Sequence, residues 1–381
     1  MTLSPEESTA TRAREGSTAT RCLVVAPQWI GDAVMAEPLI AALAARGERL
    51  TVAALPWVAP VFRAMPEVAE IVELPFAHGK LDWRVRRRVA ATLRGRFDVA
   101  CVLPNSIKSA LLPWLAGVPL RIGYAGEGRR LLLNRRLPNP KGRPPMVAFY
   151  GALAGAGFDG SVRPRLQLQS HVVETVIASA GLLEGRYWTF APGAEYGPAK
   201  RWPAAHYAEL ARSLHASSGF AVVLLGSRSE AGLCMEIAAA APGACKVLAG
   251  QLPLLDSMAI VAGARGMVSN DSGLMHIAAA FGVPQVAVFG STSPEHTPPL
   301  NPRARVLWLR EELKLDCMPC FDRQCRYGHT GCLAGVAPSR VEAALDTSLV
   351  VSTPLFPGEG VRNPGARLRS PHHKKTPRRM P

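Results

Sequence analysis

VSNDSGLMHIAAAFGVPQVAVFGSTSPEHTPPL, Val268 to Leu300, is the stretch whose reading decides the fold. Apolar residues lead into Asn270-Asp271-Ser272-Gly273, then Met275, Ile277, Ala278 and Phe281 recur at helical spacing, and VPQVAVF returns to the pattern of a buried strand. Strand, loop, helix, strand and loop in direct succession is the unit of a parallel α/β sheet. Asp271 or Ser272 can cap the helix that opens at Gly273. The dipole and free N–H groups of that helix start favour an anion, and a diphosphate suits them. Gly273 lets backbone approach a ligand closely, and His276, one turn in, can donate to a phosphate oxygen. Taken alone, the same residues also describe an ordinary capped helix with a buried histidine.

Outward from this stretch the alternation recurs through most of the chain. Strands are predicted at about 22–26, 50–54, 70–74 and 98–103, with helices at 32–46, 82–94 and 106–116. Pro138, Pro140, Pro144 and Pro145 interrupt the pattern, and a helix from about Met146 to Ala154 leads to a polar, Gly- and Pro-bearing segment near 158–165. Alternation then resumes with helix 171–181, strand 187–191, helix 204–217, strand 220–225, helices 230–240 and 254–263, and strand 266–269. This predicts an α/β protein of two Rossmann-like domains, 21–160 and 161–352, after a flexible leader (1–20) and before a basic disordered tail (353–381). Parallel sheets bind ligands beyond the carboxyl ends of their strands, so two facing sheets make one cleft.

The 381 residues carry a formal charge of +15, of which Arg362, Arg367, Arg369, Lys374, Lys375, Arg378 and Arg379 lie in the last twenty residues. The rest, including Arg84 to Arg88 and Arg129, Arg130, Arg135 and Arg136, suits an acidic substrate or an anionic membrane surface. Zinc-finger spacing, an RNP aromatic pattern and a clear helix-turn-helix are missing, which argues against nucleic acid. No apolar run reaches the roughly 18 residues of a membrane span, and CLVVAP is too short for a signal-peptide core, so a cytosolic protein is expected.

Three further loops follow predicted strands. Ala26-Pro27-Gln28-Trp29-Ile30-Gly31-Asp32 opens the first helix, and Asp32 is either its cap or a general base facing the cleft. Pro104-Asn105-Ser106-Ile107-Lys108-Ser109 opens another helix. Asn105 or Ser106 can cap it, while Ser106 and Lys108 can face an acceptor. Pro192-Gly193-Ala194-Glu195-Tyr196-Gly197-Pro198-Ala199-Lys200-Arg201-Trp202 ends in positive charge, and it is neither a Walker loop nor a dinucleotide fingerprint. With the NDSG helix start, this loop gives one domain two anion-binding features, which favours a nucleotide diphosphate. Cys317, Cys320, Cys325 and Cys332 form C-x2-C-x4-C-x6-C. Clustered cytosolic thiols suggest a structural zinc, with iron–sulfur ligation or free thiols as alternatives.

PQWIGDAVM, PNSIKSALLPWLAGVPLRIGY, PGAEYGPAKRWP and SNDSGLMHIAAAFGVPQVAVFGSTSPEHTPP together resemble the ADP-heptose:lipopolysaccharide heptosyltransferases of glycosyltransferase family 9, over about residues 21–350. The resemblance is to the heptosyltransferase II branch, because heptosyltransferase I tends to carry Thr at the Ser272 position and lacks PGAExGPAKRWP. It implies a GT-B fold and inverting, metal-independent transfer from ADP-heptose to the first heptose of heptosyl-Kdo2-lipid A. It also implies a peripheral position at the cytoplasmic face of the inner membrane. By resemblance, Asp32 is the catalytic residue, Lys200, Ser272, Gly273 and His276 contact the donor, and Asp271 holds the loop. Heptosyltransferase I, or another nucleotide-sugar enzyme such as an epimerase of similar architecture, is the alternative.

Overall fold

The computed structural model describes residues 19–76, 81–155 and 157–350. The expected tail, and the leader up to residue 18, lie outside these residues. Among the described residues, twelve strands form two sheets. β1 (Arg21–Val25), β2 (Arg49–Ala54), β3 (Val68–Glu73), β4 (Val99–Val102), β5 (Leu120–Tyr124) and β6 (Arg135–Leu137) are arranged in the order β3-β2-β1-β4-β5-β6. β7 (Tyr187–Ala191), β8 (Ala221–Leu224), β9 (Cys245–Val247), β10 (Gly266–Asn270), β11 (Gln285–Phe289) and β12 (Ala304–Trp308) follow the order β12-β11-β10-β7-β8-β9. Every pairing is parallel. β7, β10 and β11 are buried along their whole length, as strands covered by helices on both faces must be, which is why they read as nearly unbroken apolar runs.

Four strands escaped the sequence pattern. β6, β9 and β12 lie at sheet edges and are only partly buried, so no apolar run marks them. β5 is half-buried where it begins, at Leu120 and Arg121. The helix expected over 32–46 is two helices, Ile30–Met35 and Glu37–Ala44, which meet at Ala36. Pro38 stands in the first turn of the second, where its missing N–H is not needed. Among the described residues no helix is long and apolar enough to cross a membrane.

The two sheets are joined where the helix after β1 meets the helix after β10. A Cβ added to Gly31 would lie 2.8 Å from His276 Cδ2, and one added to Gly273 would lie 2.8 Å from Ile30 Cβ. The connecting chain adds polar ties. Met146 N donates to His296 O at 3.1 Å, and Leu166 N to Ala280 O at 3.3 Å. Arg165 N donates to Glu37 Oε2 at 3.0 Å. The carboxyl ends of β1 and β10 therefore open on the same space.

This packing makes Gly273→Ala a direct test. The new methyl has no room against Ile30, and overpacking of this kind costs about 1 to 3 kcal/mol. The denaturant midpoint should fall accordingly. An unchanged midpoint would show that the two helices part freely.

Candidate active site where two helix starts meet

The loop after β7 is shaped before it presents any charge. Asn270, fully buried at the end of β10, accepts from Trp202 N at 2.9 Å and from the Tyr207 hydroxyl at 3.2 Å. Its amide donates to Pro192 O at 2.7 Å and Gly193 O at 3.2 Å. One side chain thus uses both its donor and acceptor ends to fasten residues 192–202 to β10. Gly197 has φ +154°, and a Cβ there would lie 2.3 Å from Arg323 O, so only glycine fits. Ala199 N donates to that same oxygen at 3.1 Å.

The short 3₁₀ turn Pro198–Lys200 carries Lys200 to Asp271. Nζ lies 2.6 Å from Asp271 Oδ2, with the side chains only 14% and 6% exposed. Asp271 also accepts from Thr292 Oγ1 at 2.7 Å and Thr297 Oγ1 at 3.4 Å. Its carboxylate is spent on holding Lys200 and the loop after β11, so it does not cap the helix Gly273–Ala280. Ser272 occupies the cap position but makes no side-chain cap hydrogen bond, and its Oγ is buried without a partner. The capping expected of Asp271 or Ser272 is therefore not made. An orphaned hydroxyl at a helix start beside a lysine is a group that a bound phosphate would satisfy.

His276 is buried beneath the Gly31 turn. Burial pushes its pKa down to about 4, opposed by Asp271 and reinforced by Lys200. Its imidazole is neutral near neutrality and has one N–H to donate.

Asp32 stands in the first turn of Ile30–Met35, one turn in from the cap residue Trp29, which makes no side-chain cap bond. Its partner is the hydroxyl of Tyr150, which donates to Oδ1 at 3.1 Å. Burial raises the Asp32 pKa to about 6; the Tyr150 hydrogen bond opposes this, Asp271 adds to it, and Lys200 opposes it. A carboxylate poised near 6 and facing Lys200 has the properties of a general base. The structure thus brings Asp32, Lys200, Asp271, Ser272, Gly273 and His276 together.

Ser106 and Lys108 line a cavity of about 300 Å³ beyond β1 and β4, shared with Gln28, Arg86 and Glu127 and with none of that cluster. Ser106 caps its helix by accepting from Ser109 N at 3.3 Å, while Asn105 Oδ1 accepts from Arg129 at 3.1 Å. Two of the arginines read as charge for an acidic partner are used inside the fold instead. Arg129 is 1% exposed and donates to Pro104 O at 2.7 Å. Arg86 donates to Lys108 O at 3.0 Å and stacks on Phe76. Both form the walls of the loop after β4.

Cys317, Cys320, Cys325 and Cys332 line one small cavity of about 20 Å³. Among the described residues, however, no three His, Cys, Asp or Glu side chains converge as a metal-binding group. The sequence did not mark out Tyr150, Asn270's partner Tyr207, or Asp271's partners Thr292 and Thr297; nothing in the local pattern around them identifies polar machinery.

The model of glycosyltransferase family 9 (heptosyltransferase) matches residues 86–330. Lipopolysaccharide heptosyltransferase 2 of Salmonella typhimurium is 41% identical over 310 residues, covering 76% of this chain and 88% of the relative. Lipooligosaccharide heptosyltransferase 2 of Haemophilus ducreyi is 36% identical over 352 residues, covering 86% and 99%. The structure of E. coli ADP-heptose lps heptosyltransferase II superposes with a TM-score of 0.76 at 37% identity, covering 87% of this chain and 99% of that one. The paired parallel sheets are the GT-B architecture, and the chain belongs to glycosyltransferase family 9, the heptosyltransferases.

Proposed function

We propose that this glycosyltransferase moves heptose from ADP-heptose to the first heptose of the lipopolysaccharide inner core, with inversion at the anomeric carbon. The carrying observation is the placement of Asp32 opposite the Lys200–Asp271 pair and the unpartnered Ser272 hydroxyl. Asp32 takes the proton from an acceptor hydroxyl as that oxygen bonds to the anomeric carbon. The bond from that carbon to the diphosphate breaks, and ADP leaves with the electron pair. Lys200, the Ser272–Gly273 helix start and the neutral His276 stabilise the charge gathering on the diphosphate. No step requires a metal. Similarity to several heptosyltransferase 2 proteins over both sheets supports the second enzyme of the core over the first.

ADP release measures the reaction. With ADP-heptose, a lipid acceptor bearing one heptose should support release and the same acceptor without heptose should not; the reverse preference would assign the first enzyme. Asp32→Asn should then lose roughly 100-fold or more in turnover while melting at or above the wild-type temperature and keeping donor affinity. Substantial transfer by that variant would remove Asp32 as the base.

Lys200→Ala should weaken ADP-heptose binding by ten- to over a hundred-fold, since a charge-assisted hydrogen bond is worth about 1.5 to 3 kcal/mol. Calorimetry showing wild-type affinity would take Lys200 out of the donor site.

We further propose that Cys317, Cys320, Cys325 and Cys332 hold a structural zinc or similar thiophilic cation, outside the reaction. The four thiols fit such an ion in chemistry and in sharing one cavity; binding would have to draw them closer. Purified protein should contain about one metal per chain, and a chelator should lower its melting temperature without abolishing donor binding. Metal-free protein with four titratable thiols in this segment would end the proposal.

A further inference from the structure

Tyr150 lies on the helix Met146–Gly151, far in sequence from β1, yet it is buried and its hydroxyl donates to Asp32 Oδ1 at 3.1 Å. Among the described residues no other protein group hydrogen-bonds the Asp32 carboxylate. We propose that Tyr150 is a positioning residue for the transfer reaction, holding one oxygen of Asp32 so that the carboxylate is fixed and its second oxygen is left for the acceptor hydroxyl. The inference rests on Asp32 being the base.

The tyrosine is itself held from two sides. Its ring packs edge-on against Phe149, with centroids 5.5 Å apart, and Phe149 stacks on Tyr124 at 4.1 Å. The start of its helix is tied to the loop after β11, where Met146 N donates to His296 O at 3.1 Å and His296 Nδ1 lies 2.7 Å from Pro144 O. That loop also supplies Thr292 and Thr297 to Asp271. Tyr150 thus carries a fixed point from the donor side of the molecule to a carboxylate on the other side. A rigid, desolvated donor orients a carboxylate in a way that exchangeable water does not.

The bond also acts on protonation. Asp32 faces Tyr150, Asp271 and Lys200, and the Gly31 turn lies on His276. The charged groups of the other helices packed here are engaged elsewhere: Glu37 accepts from Arg165 N, and Arg63 pairs with Glu73. Tyr124 is the remaining titratable neighbour of Tyr150. Of the influences favouring the ionised Asp32, the Tyr150 hydrogen bond is the largest. Its loss should therefore raise the pH at which the base becomes available.

The test is the pH profile of kcat/KM for wild type, Tyr150→Phe and Tyr124→Phe, with donor affinity and melting measured alongside. The wild-type rate should fall as pH drops through about 6. In Tyr150→Phe this acid limb should move up by about one pH unit, with a rate loss that shrinks at higher pH and with donor affinity unchanged. Tyr124→Phe removes a hydroxyl that donates to Phe149 O beside the same aromatic stack, without touching Asp32, and should leave the limb in place. An unmoved limb in Tyr150→Phe overturns the proposal. Asp32→Asn, run in parallel, separates the layers: if it is inactive while the Tyr150→Phe limb stays put, only the tyrosine role falls, and if it is active, the base reading falls and takes this one with it. Should Tyr150→Phe fail to fold, fluorotyrosine at position 150 preserves the packing and donates more strongly. It should move the limb to lower pH, and no movement overturns the proposal.

Discussion

The approach of two helix starts, Ile30–Met35 and Gly273–Ala280, sets the geometry on which everything else depends. Its closeness is a steric fact about two glycines. Neither Gly31 nor Gly273 has room for a Cβ, because His276 and Ile30 already occupy that space. Each helix brings the positive end of its dipole to the same place. A negatively charged substrate is the natural occupant of such a junction, and Asp32 and Asp271 share that field with Lys200.

Holding those charges requires a scaffold of buried polar groups that leaves little slack. Asn270 satisfies four groups with one side chain, and Asp271 takes Lys200 and two threonines. Such networks are costly when half satisfied and rigid when complete. The Ser272 hydroxyl stands apart from these pairings, buried without a partner at the start of Gly273–Ala280 beside the Lys200–Asp271 pair. The same contrast explains why Asp271 and Lys200 act as one unit: removing either would strand a nearly buried charge.

Electrostatic division of labour follows from where each group lies. His276, buried beneath the Gly31 turn, is held neutral by that burial. Asp32, half-buried in the first turn of Ile30–Met35, is moved toward neutrality without being forced there. Arg86 and Arg129 show the opposite use of charge, enclosed among carbonyl oxygens to shape one loop.

By itself the sequence determined the elements that are buried on both faces and the loops that follow them. β1, β7, β10 and β11 are apolar enough to be read directly, and NDSG, PGAEYGPAK and QWIGD stand at their ends because a parallel sheet delivers its loops to one side. That was sufficient to expect two α/β halves, one cleft, and the cluster Asp32, Lys200, Asp271, Ser272, Gly273 and His276. Edge strands β6, β9 and β12 were not legible, because half-exposed pairs of strands need no apolar run. The tertiary structure alone decided what each polar group bonds to. Local rules offered Asp32, Asp271 and Ser272 as helix caps, since nearby N–H groups are the partners visible in sequence. In the fold, Asp32 takes a hydroxyl 118 residues away and Asp271 a lysine 71 residues away. Backbone pattern is a property of neighbours along the chain, whereas the pairing of buried charges is settled by which distant segments packing brings within hydrogen-bond reach.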